Sequence, residues 1–261
     1  VRARREQFLA YNDERSVILA KKFIAGKLVN QANFLKLMAK NRKQTDPKLS
    51  EKLYESGKLI DDANGRISKE QGNNIDEKRQ QIMNLEAEAA RYYWDCVRQI
   101  LPAELEFTGR ITRGATDPFN AMLNFGYQTV LFPEVWKAVS YAGLDFYAGY
   151  LHADRSGKPS LVLDMMEEFR QQLVDRTLIG LITKNVIKPN EIIAIDSVQE
   201  GRVLSKDVIK VMLNSLQERL DGEVMFNGQK GSLKSFIHLQ PRCMVRFLLK
   251  ETDYVPFCLG W

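Results

Sequence analysis

The chain has 261 residues, 44% of them hydrophobic, which is enough for one large domain with a sizeable core. Its 38 lysines and arginines outnumber its 33 aspartates and glutamates, and the formal charge of +5 suits a polyanionic partner without requiring one. No apolar run reaches the ~20 residues that a bilayer demands, and three scattered cysteines are too few for a disulfide framework or a zinc cage. A membrane protein is therefore excluded, and a reduced, cytosolic setting is expected.

The first half of the chain is predicted to form helices separated by loops. Apolar residues recur near helical spacing from about residue 3 to 40, and the polar stretch after them predicts a loop. A second amphipathic run, 75–101, ends before Pro102 and leads into a turn-rich connection. The next helix is predicted to begin with Asp117 as its N-cap and Pro118 at its first helical position.

The second half also favours helices. A short helix is predicted to reach His152, and a Gly/Pro turn then leads into a long helix that begins near residue 160. The remainder predicts a polar helix over 206–220, a short strand-like pair over 222–233 and a final helix over 236–249. The chain is therefore expected to be mainly α, and it contains no internal repeat.

Glu86 lies in the apolar stripe of the helix over 75–101, where an acidic residue is unexpected. The stripe consists of Ile82, Leu85, Ala89, Tyr93, Cys96, Val97 and Ile100. Its neighbour Glu88 falls on the polar face, since each residue turns the helix by roughly 100°. An unpaired carboxylate removed from water costs several kcal/mol, so a cation, a hydrogen-bond network or a metal is expected beside Glu86. The helix alone leaves a buried ion pair and a site ligand equally open.

Three further side chains suit a metal site together with Glu86. Asp164 and Glu167 are three residues apart on one predicted helix and can share a face, and His152 precedes them. Carboxylates with one imidazole fit Mn²⁺ or Mg²⁺ better than Zn²⁺. Spacing alone does not bring the segments together, and residue chemistry leaves ordinary ion pairs and a structural His152 open.

Three long stretches carry a family resemblance. They are NLEAEAARYYW at 84–94, DPFNAMLNFGY at 117–127 and GLDFYAGYLHADRSGKPSLVLDMMEEFR at 143–170. In order and separation they resemble the Cas1 family of CRISPR-associated spacer integrases. FIAGKLVNQANFL near the start and ETDYVPF near the end extend the resemblance over nearly the whole chain.

The resemblance implies a fold and a set of ligands. Residues 1–261 would form a single multi-helical catalytic domain of the Cas1 type, without the N-terminal β-domain of the family. By position in the motifs, Glu86, His152 and Glu167 match the metal ligands for Mg²⁺ or Mn²⁺, and Asp164 matches a further catalytic acid beside them. The resemblance also implies the cytoplasm of a prokaryotic cell.

It further implies integration of spacer DNA into a CRISPR array, in which a DNA 3′-hydroxyl attacks a phosphodiester at the edge of a repeat. The expected partners are double-stranded DNA, the Cas2 protein and, for the full-length protein, a second copy. Cations that flank the ligand segments are expected to contact the DNA backbone: Arg110, Arg113, Arg155, Lys158 and Arg170. The alternatives are a metal-dependent nuclease on branched DNA, a non-catalytic helical DNA-binding module and a transposon-borne relative.

Overall fold

The computed structural model describes residues 1–112, 114, 116–196 and 201–260. Helices dominate, as the sequence predicts, and we number them α1 to α10 in chain order. They are Arg2–Ala10, Glu14–Arg42, Pro47–Lys69, Ile75–Ile100, Pro118–Phe125, Phe132–Tyr141, Ser160–Met166, Arg176–Thr183, Lys206–Asp221 and Leu233–Leu248. No helix in these ranges is both long and apolar enough to cross a bilayer.

Two antiparallel hairpins accompany the helices. One pairs β1, Ile193–Asp196, with β2, Gly201–Leu204, and the other pairs β3, Glu223–Phe226, with β4, Gln229–Ser232. The second hairpin confirms the predicted strand pair. The first was not predicted, because a short apolar run does not by itself distinguish a strand from a helical segment.

The helix expected from about residue 3 to 40 is two helices. The chain turns at residues 11–13, where the side chain of Asp13 accepts a 2.9 Å hydrogen bond from the backbone N–H of Arg15 and caps α2. The loop predicted after residue 40 is also shorter than expected. Asp46 accepts a hydrogen bond from Leu49 N, and Pro47 occupies the first position of α3.

Helix α2 runs through the middle of the molecule. Helices α3 and α4 pack along it, and its apolar side chains, such as Phe23, Leu28 and Leu35, are fully buried. The buried Asn30 of this helix donates to the carbonyl oxygens of Glu168 at 2.8 Å and Phe257 at 2.9 Å. This amide therefore fastens the C-terminal segment to the same helix that supports the candidate site.

Two wide helical turns of the π type, Gly126–Leu131 and Arg170–Asp175, pack against each other. A side chain at Gly126 would lie 2.7 Å from Val174 Cγ1, so the close approach of the two turns requires glycine at this position. Turns of this kind interrupt a helix and often occur at functional sites. They explain why the predicted long helix after residue 160 is divided, with α7 ending at Met166.

The short helix expected to reach His152 is absent, which corrects that prediction. Residues 143–159 form turns and bends instead. At Gly149 a Cβ would lie 2.7 Å from the backbone carbon of Ser160, and Gly149 N donates to Ser160 Oγ at 2.9 Å. The chain therefore crosses the start of α7 too closely for a helix.

Candidate active site

Glu86 projects from α4 toward α2, where Lys27 is its partner. Lys27 Nζ lies 2.6 Å from Glu86 Oε1, and only 15% and 19% of the two side chains are exposed. Glu88 instead pairs with Arg66, whose side chain is 49% exposed. The two acids of NLEAEA thus lie on different faces of α4, as the apolar stripe predicts.

Glu167 follows directly after α7 and shares the same lysine. Its Oε2 lies 2.7 Å from Lys27 Nζ, and its Oε1 accepts a 2.9 Å hydrogen bond from Arg170 Nε. Burial alone would raise the pKa of Glu167. The charges of Arg170 and Lys27 together outweigh burial, with a further contribution from His152, so this pKa lies well below its usual range.

The second carboxylate oxygen of Glu167, Oε2, has only the ammonium of Lys27 beside it among the described residues. Glu167 Oε2 is buried, and its partner among the described residues is the ammonium of Lys27 at 2.7 Å. A buried carboxylate oxygen in this condition retains an unused lone pair, which is costly unless another ligand engages it. The oxygen therefore has one partner, the ammonium of Lys27, and can accept another.

Asp164 organises His152 rather than facing the glutamates. Its Oδ2 accepts backbone hydrogen bonds from Tyr150 at 2.7 Å and Leu151 at 3.0 Å. Its Oδ1 lies 2.9 Å from His152 N and 2.7 Å from His152 Nδ1. A histidine that donates from Nδ1 to a carboxylate can offer Nε2 to another group, as metal-binding histidines do.

A layer of aromatic and cationic residues adjoins Glu167. The guanidinium carbons of Arg110 and Arg170 lie 5.3 Å and 4.7 Å from the ring centroid of Tyr127. Arg110 is fixed by Asn120 Oδ1 at 2.9 Å and Asn124 Oδ1 at 2.7 Å. Asn120 and Asn124 lie one turn apart on α5, so that both amides face Arg110.

Below Tyr127 lies a buried carboxylate that sequence reasoning missed. Asp175 accepts hydrogen bonds from the hydroxyl groups of Tyr127 and Tyr93. Burial raises the pKa of Asp175 to about 6, although the two tyrosines and two nearby arginines act in the opposite direction. Lys27 was missed as well, because it is one of several lysines on α2 and nothing in the sequence marks its distant partners.

The predicted DNA contacts separate into different environments. Arg110 and Arg170 lie in the site, whereas Arg155 is exposed on the loop after His152 and Lys158 is half-buried there. Arg113 lies outside the described residues. A groove of about 480 Å³ opens beside the site and follows one face of α4, with these residues along its walls: Lys27, Glu86, Ala87, Ala90, Arg91, Trp94, Asp95, Arg98, Thr108, Gly109 and Arg110.

The predicted metal ligands are only partly assembled. Lys27 joins Glu86 to Glu167, while His152 Nδ1 is committed to Asp164. Within the described ranges, no three His, Cys, Asp or Glu side chains are grouped in a way that could hold a metal ion. The two glutamates have the chemistry of a hard-cation site, and Lys27 supplies the positive charge between them.

Comparison with known proteins identifies the class and then the family. The fold matches a casposase bound to integration product, with a TM-score of 0.79 and 23% identity over 98% of this chain and 67% of that one. It also matches a Cas1 protein from Thermotoga maritima, with a TM-score of 0.75 and 20% identity over 97% of this chain and 72% of that one. At these identities the likeness establishes the fold alone, a helical domain shared by the two proteins.

Sequence comparison establishes the family. The family model described as CRISPR associated protein Cas1 matches residues 1–218, and this chain belongs to that family. A CRISPR-associated endonuclease Cas1 from Archaeoglobus fulgidus is 41% identical over 266 residues, which cover 100% of this chain and 76% of the relative. A CRISPR-associated protein Cas1 from Methanobrevibacter ruminantium is 31% identical, over 99% of this chain and 75% of the relative. The family resemblance of the sequence motifs is thereby confirmed.

Proposed function

We propose that this chain is the catalytic domain of a CRISPR-adaptation integrase, which joins spacer DNA into a CRISPR array. The observation that carries the proposal is the convergence of Glu86 and Glu167, from two separate elements, on the ammonium of Lys27 at 2.6 Å and 2.7 Å. Two carboxylates that converge on one point offer the oxygen ligands that a hard divalent cation prefers.

Names of similar proteins support the substrate and the partners. The Archaeoglobus relative is called an endonuclease, and the casposase structure holds an integration product. A Cas6-RT-Cas1–Cas2 complex contains a chain with the same fold, at a TM-score of 0.78 and 21% identity over 100% of this chain and 26% of that one. We infer that this chain acts on double-stranded DNA together with Cas2, as part of a homodimer in the full-length protein.

The proposal includes a divalent cation, Mg²⁺ or Mn²⁺. Glu86 and Glu167 would hold it through carboxylate oxygens, and His152 would contribute Nε2. When bound, the ion would polarise the phosphoryl group and stabilise charge on the attacking and leaving oxygens. Glu167 fits this role, because its carboxyl group is buried, its pKa lies well below its usual range, and its Oε2 lies where the two carboxylates meet.

The remaining steps belong to side chains of the chain itself. Asp164 holds His152 in one orientation and one tautomer, which keeps Nε2 available. Arg170 restrains Glu167 through Oε1 and, with Arg110, places positive charge over Tyr127 beside the groove. These guanidinium groups would hold a DNA phosphate, since arginine matches phosphate oxygens by its planar fork.

A strand-joining assay tests the proposal. The chain and a Cas2 partner are incubated with a supercoiled plasmid that carries a CRISPR array and with a labelled duplex whose ends carry either 3′-hydroxyl or 3′-deoxy groups. We expect joining only with 3′-hydroxyl ends, in Mg²⁺ or Mn²⁺ and not in EDTA.

Two other outcomes would contradict parts of the proposal. Cleavage of a branched DNA added in a parallel reaction, without any joining of the duplex to the plasmid, would favour a hydrolytic nuclease that uses water. Joining that persists in EDTA would remove the metal from the mechanism and leave the two glutamates with a structural role.

A further inference from the structure

Lys27 lies where the two glutamates would otherwise face each other. Its ammonium contacts Glu86 Oε1 at 2.6 Å and Glu167 Oε2 at 2.7 Å. Arg170 uses the other oxygen of Glu167, so the two cations do not share an acceptor. In the described part of the chain, Lys27 is the only cationic side chain within 4.0 Å of Glu86. The lysine therefore engages one oxygen from each predicted ligand.

We propose that Lys27 is a built-in counter-cation that competes with the divalent ion for Glu86 and Glu167, and so sets the metal affinity of the site. The inference rests on the proposed function, because it concerns the same pair of carboxylates. Lys27 is therefore a positioning residue, since it acts through the two glutamates and not on the DNA or the metal ion directly.

The competition follows from charge and space. Without a cation, the half-buried carboxylate of Glu86 and the buried carboxylate of Glu167 repel each other, and a buried charge that loses its partner is strongly destabilising. A divalent ion approaches carboxylate oxygens to about 2.0–2.6 Å, so on the same oxygens it would lie close to the ammonium, and the two positive charges would repel each other. Binding through Glu86 Oε1 and Glu167 Oε2 therefore requires Lys27 to withdraw.

The surroundings of Lys27 permit such a withdrawal. The lysine lines the groove along α4 beside Glu86. Ala87 and Ala90 also line this groove, and their small side chains leave open space there. A lysine side chain is a flexible four-carbon chain, and its ammonium group can donate in several directions. Arg170 retains its hydrogen bond to Glu167 Oε1 throughout, so Glu167 remains restrained while Lys27 moves.

The test measures metal binding rather than catalysis. Mn²⁺ alone is titrated by calorimetry into the whole chain, its Lys27→Met variant and a Lys36→Met control. Lys36 is the matched control because it lies on the same helix, pairs with Asp61 and has a side chain that is also 15% exposed. We expect Lys27→Met to lower the Kd for Mn²⁺ by about tenfold or more, because no ion pair has to be broken, and Lys36→Met to leave it unchanged.

A Kd for Lys27→Met that equals or exceeds that of the wild type would overturn the proposal about Lys27. Binding of Mn²⁺ by the wild type in that experiment would still support the proposed metal site. Absence of Mn²⁺ binding in all three proteins would contradict both the proposed metal site and the proposed role of Lys27. Lys27→Arg, which keeps the positive charge, should bind Mn²⁺ no more tightly than the wild type. If Lys27→Met is unfolded without metal, the proposal requires Mn²⁺ to restore its near-ultraviolet circular dichroism, and failure to do so counts against it.

Discussion

The carboxylate of Asp164 binds both the imidazole of His152 and the backbone of the segment that carries it. One oxygen lies 2.7 Å from His152 Nδ1 and 2.9 Å from His152 N, and the other accepts the N–H groups of Tyr150 and Leu151. The residue that orients the ring therefore also shapes the segment that carries it. This coupling explains how a stretch without regular secondary structure can present a histidine in one orientation.

Asp164→Asn should loosen this loop, because an amide NH₂ placed against backbone N–H groups cannot accept their hydrogen bonds. We expect a loss of about 2 kcal/mol or more in the free energy of unfolding, measured in urea. Nitrogen spectra of the ring should show His152 losing its single tautomer while His238, the only other histidine, is unchanged. Asp154→Asn is the control, since Asp154 is exposed and accepts one hydrogen bond from Ser160 Oγ at 2.9 Å. Equal effects of the two substitutions would contradict this role.

Glu168 should make the chain less stable as pH rises. Burial raises the pKa of its carboxyl to about 8, although hydrogen bonds from Tyr254, Phe257 N and Gln240 lower it. Because the folded-state pKa exceeds the unfolded value of 4.5, the folded chain binds more protons between pH 4.5 and 8. The contribution of Glu168 to stability is therefore largest below pH 4.5 and declines as pH rises through that window.

The measurement compares the free energy of unfolding of the wild type and Glu168→Gln between pH 6 and 8. The glutamine variant keeps the shape of the side chain without its titration. We expect the wild type to lose up to about 1.4 kcal/mol per pH unit relative to the variant. Parallel pH profiles of the two proteins would show that Glu168 has an ordinary pKa.

Some of this architecture follows directly from local sequence signals. Asp117 and Pro118 begin a helix where capping chemistry predicts it, and the apolar stripe of α4 separates Glu86 from Glu88. The same capping chemistry also exists at Asp46 and Pro47, where charge-rich residues obscure the start of α3. The polar composition of this stretch therefore predicts a longer loop than the one that precedes α3.

Other features depend on contacts between distant segments. Lys27 is 59 residues from Glu86 in sequence, so only the packing of α2 against α4 reveals their pairing. His152 shows the same limit, because its segment is apolar enough for a helix but is shaped by Asp164 and by the close contact at Gly149. Tertiary contacts override local preference at both places.

Asn30→Ala should detach the C-terminal segment from α2. The Asn30 amide donates to two carbonyl oxygens, and its Oδ1 accepts from Leu259 N at 2.9 Å. Removing it leaves several buried groups unpaired, so we expect a loss of about 2 kcal/mol or more in the free energy of unfolding. Asn33→Ala is the control, because Asn33 makes one partly buried bond to Leu259 O at 2.8 Å and should cost about 1 kcal/mol or less. A smaller loss for Asn30→Ala than for Asn33→Ala would contradict this account.

Arg110→Gln should weaken the binding of duplex DNA if the groove along α4 holds the backbone. One lost phosphate contact lowers the slope of log affinity against log salt by about 0.9 and acts equally on different sequences. Fluorescence anisotropy at several salt concentrations measures both quantities. Arg66→Gln is the charge-matched control, since Arg66 pairs with Glu88 on another face of α4. Identical salt slopes for wild type and Arg110→Gln would place the DNA elsewhere.

The two acids of NLEAEA give the sharpest test of the site. Glu86→Ala removes one of the two carboxylates that meet at Lys27, so metal-dependent joining or cleavage of DNA should fall to background. Glu88→Ala removes only a pair with the exposed Arg66, and its activity should stay near wild type because such surface pairs contribute little. Rates are measured on the plasmid substrate in Mn²⁺, with circular dichroism to verify that both variants fold. Equal loss in the two variants would show that the chemistry does not depend on which face of α4 carries the acid.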